Sequence, residues 1–340
     1  MKRKLAMIIL TLTFALCSIL GLTACGHEHE YGDYVSNNNG TKTATCECGY
    51  SIIAVDEEVL VVENNVVKSI TEYGKTLSKI VIPNSVTSID SSAFRNSSSL
   101  TSVEIPDSVT SIGEGAFNGC YSLTSVVIPD SVTSIGDGAF YYCISLTSVV
   151  IGDNVTSIGK SAFYDCDKLV EVINKSAHIT IEKGSFSNGY VGYYALVVYN
   201  SDSGITESQL INDNGYIVYT EGNEKILVGY SGEGTFLVLP TYITKINSYA
   251  FYYCTSLTSV TIGNNVTSIG DYAFEYCSSL TSVVIGDSVT DIGKEAFYEC
   301  RSLTSIKYRG TESQWQAITK GSAWNPNTGN ITITYNYKGN

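Results

Sequence analysis

Residues 134–143 read SIGDGAFYYC, and nearly the same words return at 111–120, 157–166, 268–277 and 291–300. The recurrence has a fixed step. Leu77, Leu100, Leu123, Leu146 and Leu169 lie 23 residues apart, and after a gap Gly234, Leu257, Leu280 and Leu303 resume the phase. The chain's own consensus is L-T-S-V-x-I-P-D-S-V-T-S-I-G-x-x-A-F-x-x-C-x-S. A period of this length, repeated along the chain, is the mark of a solenoid.

Each phrase encodes one coil. Val126 and Ile128 alternate with Ser125 and Val127, the period of a short strand with one face inward. Pro129-Asp130-Ser131 then ends it. Four of the five prolines (Pro83, Pro106, Pro129 and Pro240) stand in this column, where a residue that cannot donate to a ladder is tolerated. Val132 and Ile135 turn inward on the next side. Gly136 sits at a corner and is expected to supply positive φ. Ala139 and Phe140 fill the last side. One coil cannot bury its own Leu, Val, Ile and Phe faces, whereas stacked coils can, with strands about 4.8 Å apart.

The column that ends each phrase reads Ser97, Cys120, Cys143, Cys166, Gly189, Cys254, Cys277 and Cys300. Alanine and phenylalanine of the core stand four and three residues upstream. The column holds no histidine or acid, and serine and glycine substitute in it. These cysteines read as small buried fillers, not as nucleophiles. Parallel Cβ vectors in register suit disulfides badly.

Hydrophobic residues make up 44% of the chain and charged residues 16%, the balance of a folding chain. The formal net charge of −13, with no basic stripe, argues against a nucleic-acid partner. The first residues, MKRKLAMIILTLTFALCSILGLTACG, join a basic head to an apolar run and small residues, as in a secretory signal peptide over 1–24. Leu22-Thr23-Ala24-Cys25 resembles the bacterial lipobox, which implies acylation of Cys25 and attachment of an exported protein to the bacterial cell surface or membrane. An uncleaved apolar anchor is the alternative.

The repeat phrase resembles the BspA-type leucine-rich repeat of bacterial surface proteins. The resemblance covers about 77–191 and 234–310. It implies a curved solenoid with a parallel sheet on its concave side and a surface role in adhesion to host, matrix or microbial proteins. The expected fold is therefore a β-rich repeat solenoid of 23-residue coils. Five coils span 77–191, the fifth degenerate at Asn174, Ser185 and Gly189. A β-hairpin insert at 192–233 either continues the sheet or interrupts it, and further coils span 234–310. A hairpin turning at Glu63-Asn64-Asn65 caps the start within 51–76. Trp315 and Ile318, on a short helix within 311–340, cap the end.

Two surfaces are candidates for binding a protein. Along the strands, Ser102, Glu104, Ser125, Val127, Ser148, Val150, Ser259, Thr261, Ser282 and Val284 point outward in two columns. Just before the cysteine column, Tyr141, Tyr142, Tyr164, Tyr252, Tyr253, Tyr276 and Tyr298 form an aromatic set, a residue type enriched where proteins meet. In the 25–50 tether, His27, His29, Cys46 and Cys48 are four soft ligands able to hold Zn²⁺, or an incidental set in a polar tether. No phosphate loop, metalloprotease motif or nucleophile elbow occurs, so no enzyme is expected. No other cofactor is expected, and the oligomeric state stays open. The competing readings are a glycan- or metal-capturing lipoprotein, with Trp315 and Trp324 as the sugar platform, and a structural envelope component.

If the lipobox reading holds, mass spectrometry of protein extracted from membranes will find a diacylated Cys25 as the first residue; a chain still beginning Met1-Lys2 refutes it.

Overall fold

The computed structural model describes residues 34–45, 51–325, 328 and 330–339. Every full coil contributes two strands to two parallel sheets. The longer strands include Ser102–Glu104, Ser125–Val127, Ser148–Ile151 and Glu171–Asn174 in the first half, and Phe236–Val238, Ser259–Thr261, Ser282–Ile285 and Ser305–Tyr308 in the second. The shorter ones are the Ser-Ile pairs Ser111–Ile112, Ser134–Ile135 and Ser157–Ile158 and their counterparts Ser268–Ile269 and Asp291–Ile292. Pairing is in register at the sequence period: Val126 faces Val149, Ile135 faces Ile158, and Val260 faces Val283.

Identical positions therefore stack as columns. Phe94, Phe117, Phe140 and Phe163 form a parallel pile with ring centroids 4.8, 5.2 and 5.0 Å apart. Phe251, Phe274 and Phe297 form a second pile at 4.8 and 5.1 Å. The threonines of L-T-S-V and V-T-S-I have an equally regular duty. Thr124 Oγ1 donates to the Thr101 carbonyl and Thr147 Oγ1 to that of Thr124, while Thr133 and Thr156 repeat the pattern on the other side. Each hydroxyl thus adds a side-chain bond to the backbone ladder one coil back.

The cysteine column is buried packing, as the sequence reading held. Cys120, Cys143 and Cys166 donate Sγ–H to the carbonyls of Phe94, Phe117 and Phe140 at 3.3, 3.3 and 3.1 Å. Cys277 and Cys300 do the same to Phe251 and Phe274 at 3.1 and 3.0 Å. All are free thiols. Burial pushes Cys120, Cys143 and Cys277 well above the ordinary thiol range, which suppresses the thiolate that chemistry would need.

Two details of the coil differ from expectation. Gly136 does not have positive φ. It is glycine because a Cβ there would lie 2.6 Å from the Glu114 nitrogen of the preceding coil. The left-handed residues come two positions later, as at Gly138 (φ 58°), and just before the cysteine, as at Gly119 (φ 73°) and Tyr142 (φ 59°). Gly189 is not in the cysteine column. Its carbonyl accepts from Phe163 N, the bond that Ala162 provides to Phe140, so the degenerate coil has slipped and glycine occupies the alanine row.

The hairpin expected in 192–233 is present, and its surroundings go further than the sequence suggests. Val197–Tyr199 adds one more parallel strand beside Glu171–Asn174. Then Ile211–Asp213, Tyr216–Glu221 and Glu224–Tyr230 form an antiparallel meander, and the last of these pairs parallel with Lys245–Ile246. The hairpin at the chain start is built alike: Leu60–Glu63 and Val66–Ile70 turn at Asn64-Asn65, both with positive φ, and the second strand pairs parallel with Ser88–Ile89. The segment is thus the starting cap of a second array, and two core clusters, 59–195 and 218–318, lie on either side of it.

At the far end Thr311 caps the helix Glu312–Ala317 through a capping box with Gln314. The helix places Trp315 and Ile318 against the core as the sequence suggests. Trp315 meets Tyr308 and Trp324, and Trp324 meets Phe297 edge-on, so both tryptophans pack in the cap.

Truncating one column member should open a small void and delete one weak bond. Cys143→Ala is expected to lower unfolding stability by about 1 kcal/mol, read by urea denaturation. An unchanged midpoint would contradict the packing account.

Candidate functional site

The strand face is only partly open. Ser125 and Val127 are exposed, Val127 to 59%, and Ser102, Glu104, Ser259, Thr261 and Ser282 are exposed or half-buried. Ser148 and Val150 are not: they retain 4% and 8% exposure, and Val284 is also buried, between Thr261 and Lys307 in the ladder. Around Ser148 the cover is the segment that begins the second array. Ser148 Oγ and Ser208 Oγ donate to Glu171 Oε2 at 2.6 and 2.5 Å, and Gln209 N donates to Glu171 Oε1 at 2.7 Å. Ile217, Tyr219, Ile226 and Val228 of the meander pack with Val170, Leu196 and Val197 of the first array, while Val218 and Leu227 face the second core. Both faces of the meander are apolar because both are buried. The expected two-column binding face is therefore interrupted in the middle of the molecule.

The tyrosines, by contrast, form one continuous stripe across both arrays. Tyr142 meets Tyr141 edge-on at 4.4 Å, Tyr141 stacks on Tyr164 at 5.4 Å, and Tyr164 meets Tyr190 at 5.0 Å. Tyr190, Tyr193 and Tyr194 carry the contact over the junction to Tyr249. From there it runs through Tyr252, Tyr253 and Tyr276 to Tyr298. All seven tyrosines singled out in the sequence lie on it. Tyr190, Tyr193, Tyr194, Tyr249 and Tyr272 do not follow from the cysteine column. Tyr249 and Tyr272 belong to a second row, two residues before the phenylalanines, and the other three lie on the degenerate coil and the segment that follows it.

Much of this stripe sits on left-handed backbone. Tyr142, Tyr190, Tyr249, Tyr253, Tyr272 and Tyr276 all have φ between 57° and 69°. In the same two rows other coils use Ser92, Gly115, Gly138, Ser161 and Glu295, or Asn96, Gly119, Asp165 and Glu299, all with positive φ, so the conformation belongs to the coil; Tyr190, on the slipped coil, lies outside these rows. An L-residue with a bulky side chain costs roughly 1–2 kcal/mol in this region relative to its ordinary conformations. The tyrosines are thus held where glycine is the cheaper choice.

Acids lie beneath the rings. Glu275 takes the row of Tyr141, Tyr164, Tyr252 and Tyr298. Burial, with repulsion from Glu295 and Asp167 and against attraction by Lys294, raises its carboxyl to about 7. Burial raises Asp167 to about 6, opposed by its hydrogen bond with Tyr194. Next to it the buried Lys168 donates to the Tyr252 carbonyl at 3.0 Å, tying the first array to the second. A cleft of about 690 Å³ opens between the arrays there, lined by Tyr142, Ser145, Lys168, Tyr230 and Tyr253 among others.

Cys25, His27, His29, Cys46 and Cys48 lie outside the described residues. Among the described residues no group of three or more His, Cys, Asp or Glu side chains could hold a metal ion, and no helix is long and apolar enough to cross a membrane. His178 is exposed at the degenerate coil.

Residues 67–191 and 230–338 match the BspA type leucine rich repeat region in six copies. The chain belongs to this family. No curated protein matches it. Among solved structures, it is similar to a leucine rich cell surface protein of Faecalibacterium prausnitzii, at 22% identity over 85% of this chain and 98% of that one, TM-score 0.29. A leucine-rich repeat protein of Bacteroides ovatus is 23% identical over 91% and 89%, TM-score 0.33. The pneumococcal vaccine antigen PcpA is 15% identical over 90% and 83%, TM-score 0.40. The BspA-type chain described above thus carries the family's repeat in two arrays.

The raised carboxyls give a pH dependence of known sign. An unfolded glutamate titrates near about 4.3, so between that value and about 7 the folded chain binds more protons than the unfolded one. Stability is then complete below the unfolded value and is lost as pH rises through about 7. Urea midpoints should fall over this window, and Glu275→Gln should flatten the fall; an identical pH profile in the variant would remove Glu275 as its source.

Proposed function

We propose that this BspA-type protein is a non-enzymatic protein-binding module at a bacterial cell surface, held there through an acylated Cys25, and that its partner lies along the tyrosine stripe. One observation carries the choice of surface: the tyrosine rings make an unbroken run of contacts from Tyr142 through Tyr190, Tyr194 and Tyr249 to Tyr298, across both arrays. Tyrosine also offers a large, rigid, amphipathic contact with little side-chain freedom to lose. A partner of ordinary size needs about 800 Å² on each side, more than one coil presents. The stripe runs over several coils of both arrays without a break, with Tyr142, Tyr193 and Tyr253 exposed along it. The expected adhesion role, to host, matrix or microbial proteins, fits the same surface. The strand face is a weaker support, since the second array's starting cap covers its centre.

The test is a triple variant, Tyr142→Gly, Tyr253→Gly and Tyr276→Gly. Relief of backbone strain offsets the lost ring contacts, of about 0.5–1.5 kcal/mol each, so the fold should persist with little change in stability. Partner proteins that co-purify with the wild-type chain from intact cells should no longer do so. Retention of the same partners by a folded triple variant defeats the stripe as the contact surface.

A further inference from the structure

The two arrays begin in the same way but differ in one respect. In the first, the leading long strand Lys79–Val81 is covered along its free edge. Val81 N donates to the Asn39 carbonyl at 2.5 Å, and Gly40 lies so close that a Cβ on it would stand 3.0 Å from the Val81 carbonyl oxygen. The cover comes from the antiparallel module formed by Val35–Ser36, Thr41–Thr45 and Ser51–Val55. Lys79 also guards the edge with a charge, paired to Glu104.

In the second array the equivalent strand is Phe236–Val238, which pairs with Ser259–Thr261 as Lys79–Val81 pairs with Ser102–Glu104. It too is the terminal strand of its sheet. Here no segment takes the place of Asn39–Gly40. By the register, Val238 N points outward as Val81 N does, and among the described residues no backbone acceptor from another segment meets it. Only the Val238 carbonyl has a partner, the Tyr216 hydroxyl at 3.2 Å. Phe236 and Val238 are 76% and 70% exposed, the two most exposed large apolar side chains among the described residues. Thr235 to Pro240 contains no charged residue. Soluble proteins ordinarily blunt such an edge with charge, proline or a covering segment.

We propose that the Phe236–Val238 edge docks an extended segment of another protein, which adds to the sheet as a strand. The chemistry of the segment follows from the site. It carries apolar residues at alternate positions to meet Phe236 and Val238, and a main chain that pairs with the outward-facing groups of those residues. Basic residues flank it, because Glu233 precedes the edge and Asp213, bonded to Tyr242, stands on the meander beside Tyr216. A second copy of this chain would bring the same acids to the same edge, on a body of net charge −13. None of these residues belongs to the tyrosine stripe, so this site is distinct from the surface proposed above.

The probe is the peptide acetyl-Lys-Val-Thr-Val-Thr-Val-Lys-amide, with a version N-methylated at alternate residues as control. Hydrogen exchange by mass spectrometry on the wild-type chain should show slowing at residues 235–239 on adding the peptide and none with the N-methylated form. Phe236→Ser with Val238→Ser should weaken binding by about tenfold or more, the circular dichroism spectrum being unchanged. Four results overturn the proposal: no binding at millimolar peptide, binding without slowing at 235–239, equal binding of the N-methylated peptide, or a dimer in sedimentation whose 235–239 amides are already protected. The last would assign the edge to a second copy. The N-methylated arm uses the wild-type chain and does not depend on the double variant folding.

Discussion

Everything in this molecule depends on a backbone hydrogen bond made to the coil next door. Thr124 N donates to Thr101 O, Gly136 N to Ile112 O and Phe140 N to Ala162 O, so the groups that would be orphaned inside one coil are satisfied by its neighbours. The bond demands that neighbouring coils stay in register, which most of them meet with the same 23-residue step. It also brings side chains of the same identity within contact of one another. Phenylalanine answers by stacking, threonine by bonding to a carbonyl, cysteine by offering a small sulfur with a weak donor, and glycine by making room for the backbone of the next coil. The repeated phrase is one set of solutions to one crowded geometry.

That is why so much was readable from the chain alone. A 23-residue step in Leu, Val, Ile, Ala and Phe leaves few arrangements other than stacked coils, and the cysteines had to follow the core. Proline and Asn64-Asn65 announced their breaks through chemistry that acts locally. What stayed hidden was relational. Gly136 looks like a turn glycine in sequence, and only the neighbouring Glu114 backbone shows that it is a spacer. The meander at 216–230 lacks clear alternation because it is buried on both sides, and sequence does not say against what. Ser148 and Val150 follow the outward pattern of Ser125 and Val127 faithfully. They are buried by residues some sixty positions later, and no local pattern records that.

The tyrosine surface shows the same division. Its cysteine-linked members could be named from their spacing. Its continuity could not, because the bridge through Tyr190, Tyr193 and Tyr194 comes from the part of the chain where the period fails. The slipped coil at Gly189 is thus more than a decayed repeat. It turns one array toward its end and at the same time supplies the rings that join the two halves of the stripe. The acids beneath, Asp167 and Glu275, are held there against their own preference for water by the packing of those rings and of the arrays.

The second starting hairpin also limits how errors travel. Within a stack a longer coil keeps the columns only where its extra residues loop out, as where Val172 pairs with Val198 and Ile292 with Lys320. Here Tyr216–Glu221 and Glu224–Tyr230 begin the count afresh, with their own turn and their own first parallel partner at Lys245–Ile246. An insertion in the first array is absorbed before residue 216, and the columns of the second keep their phase. The molecule is therefore two separately indexed rulers laid against each other, and its length can change by whole coils in either one without rewriting the other.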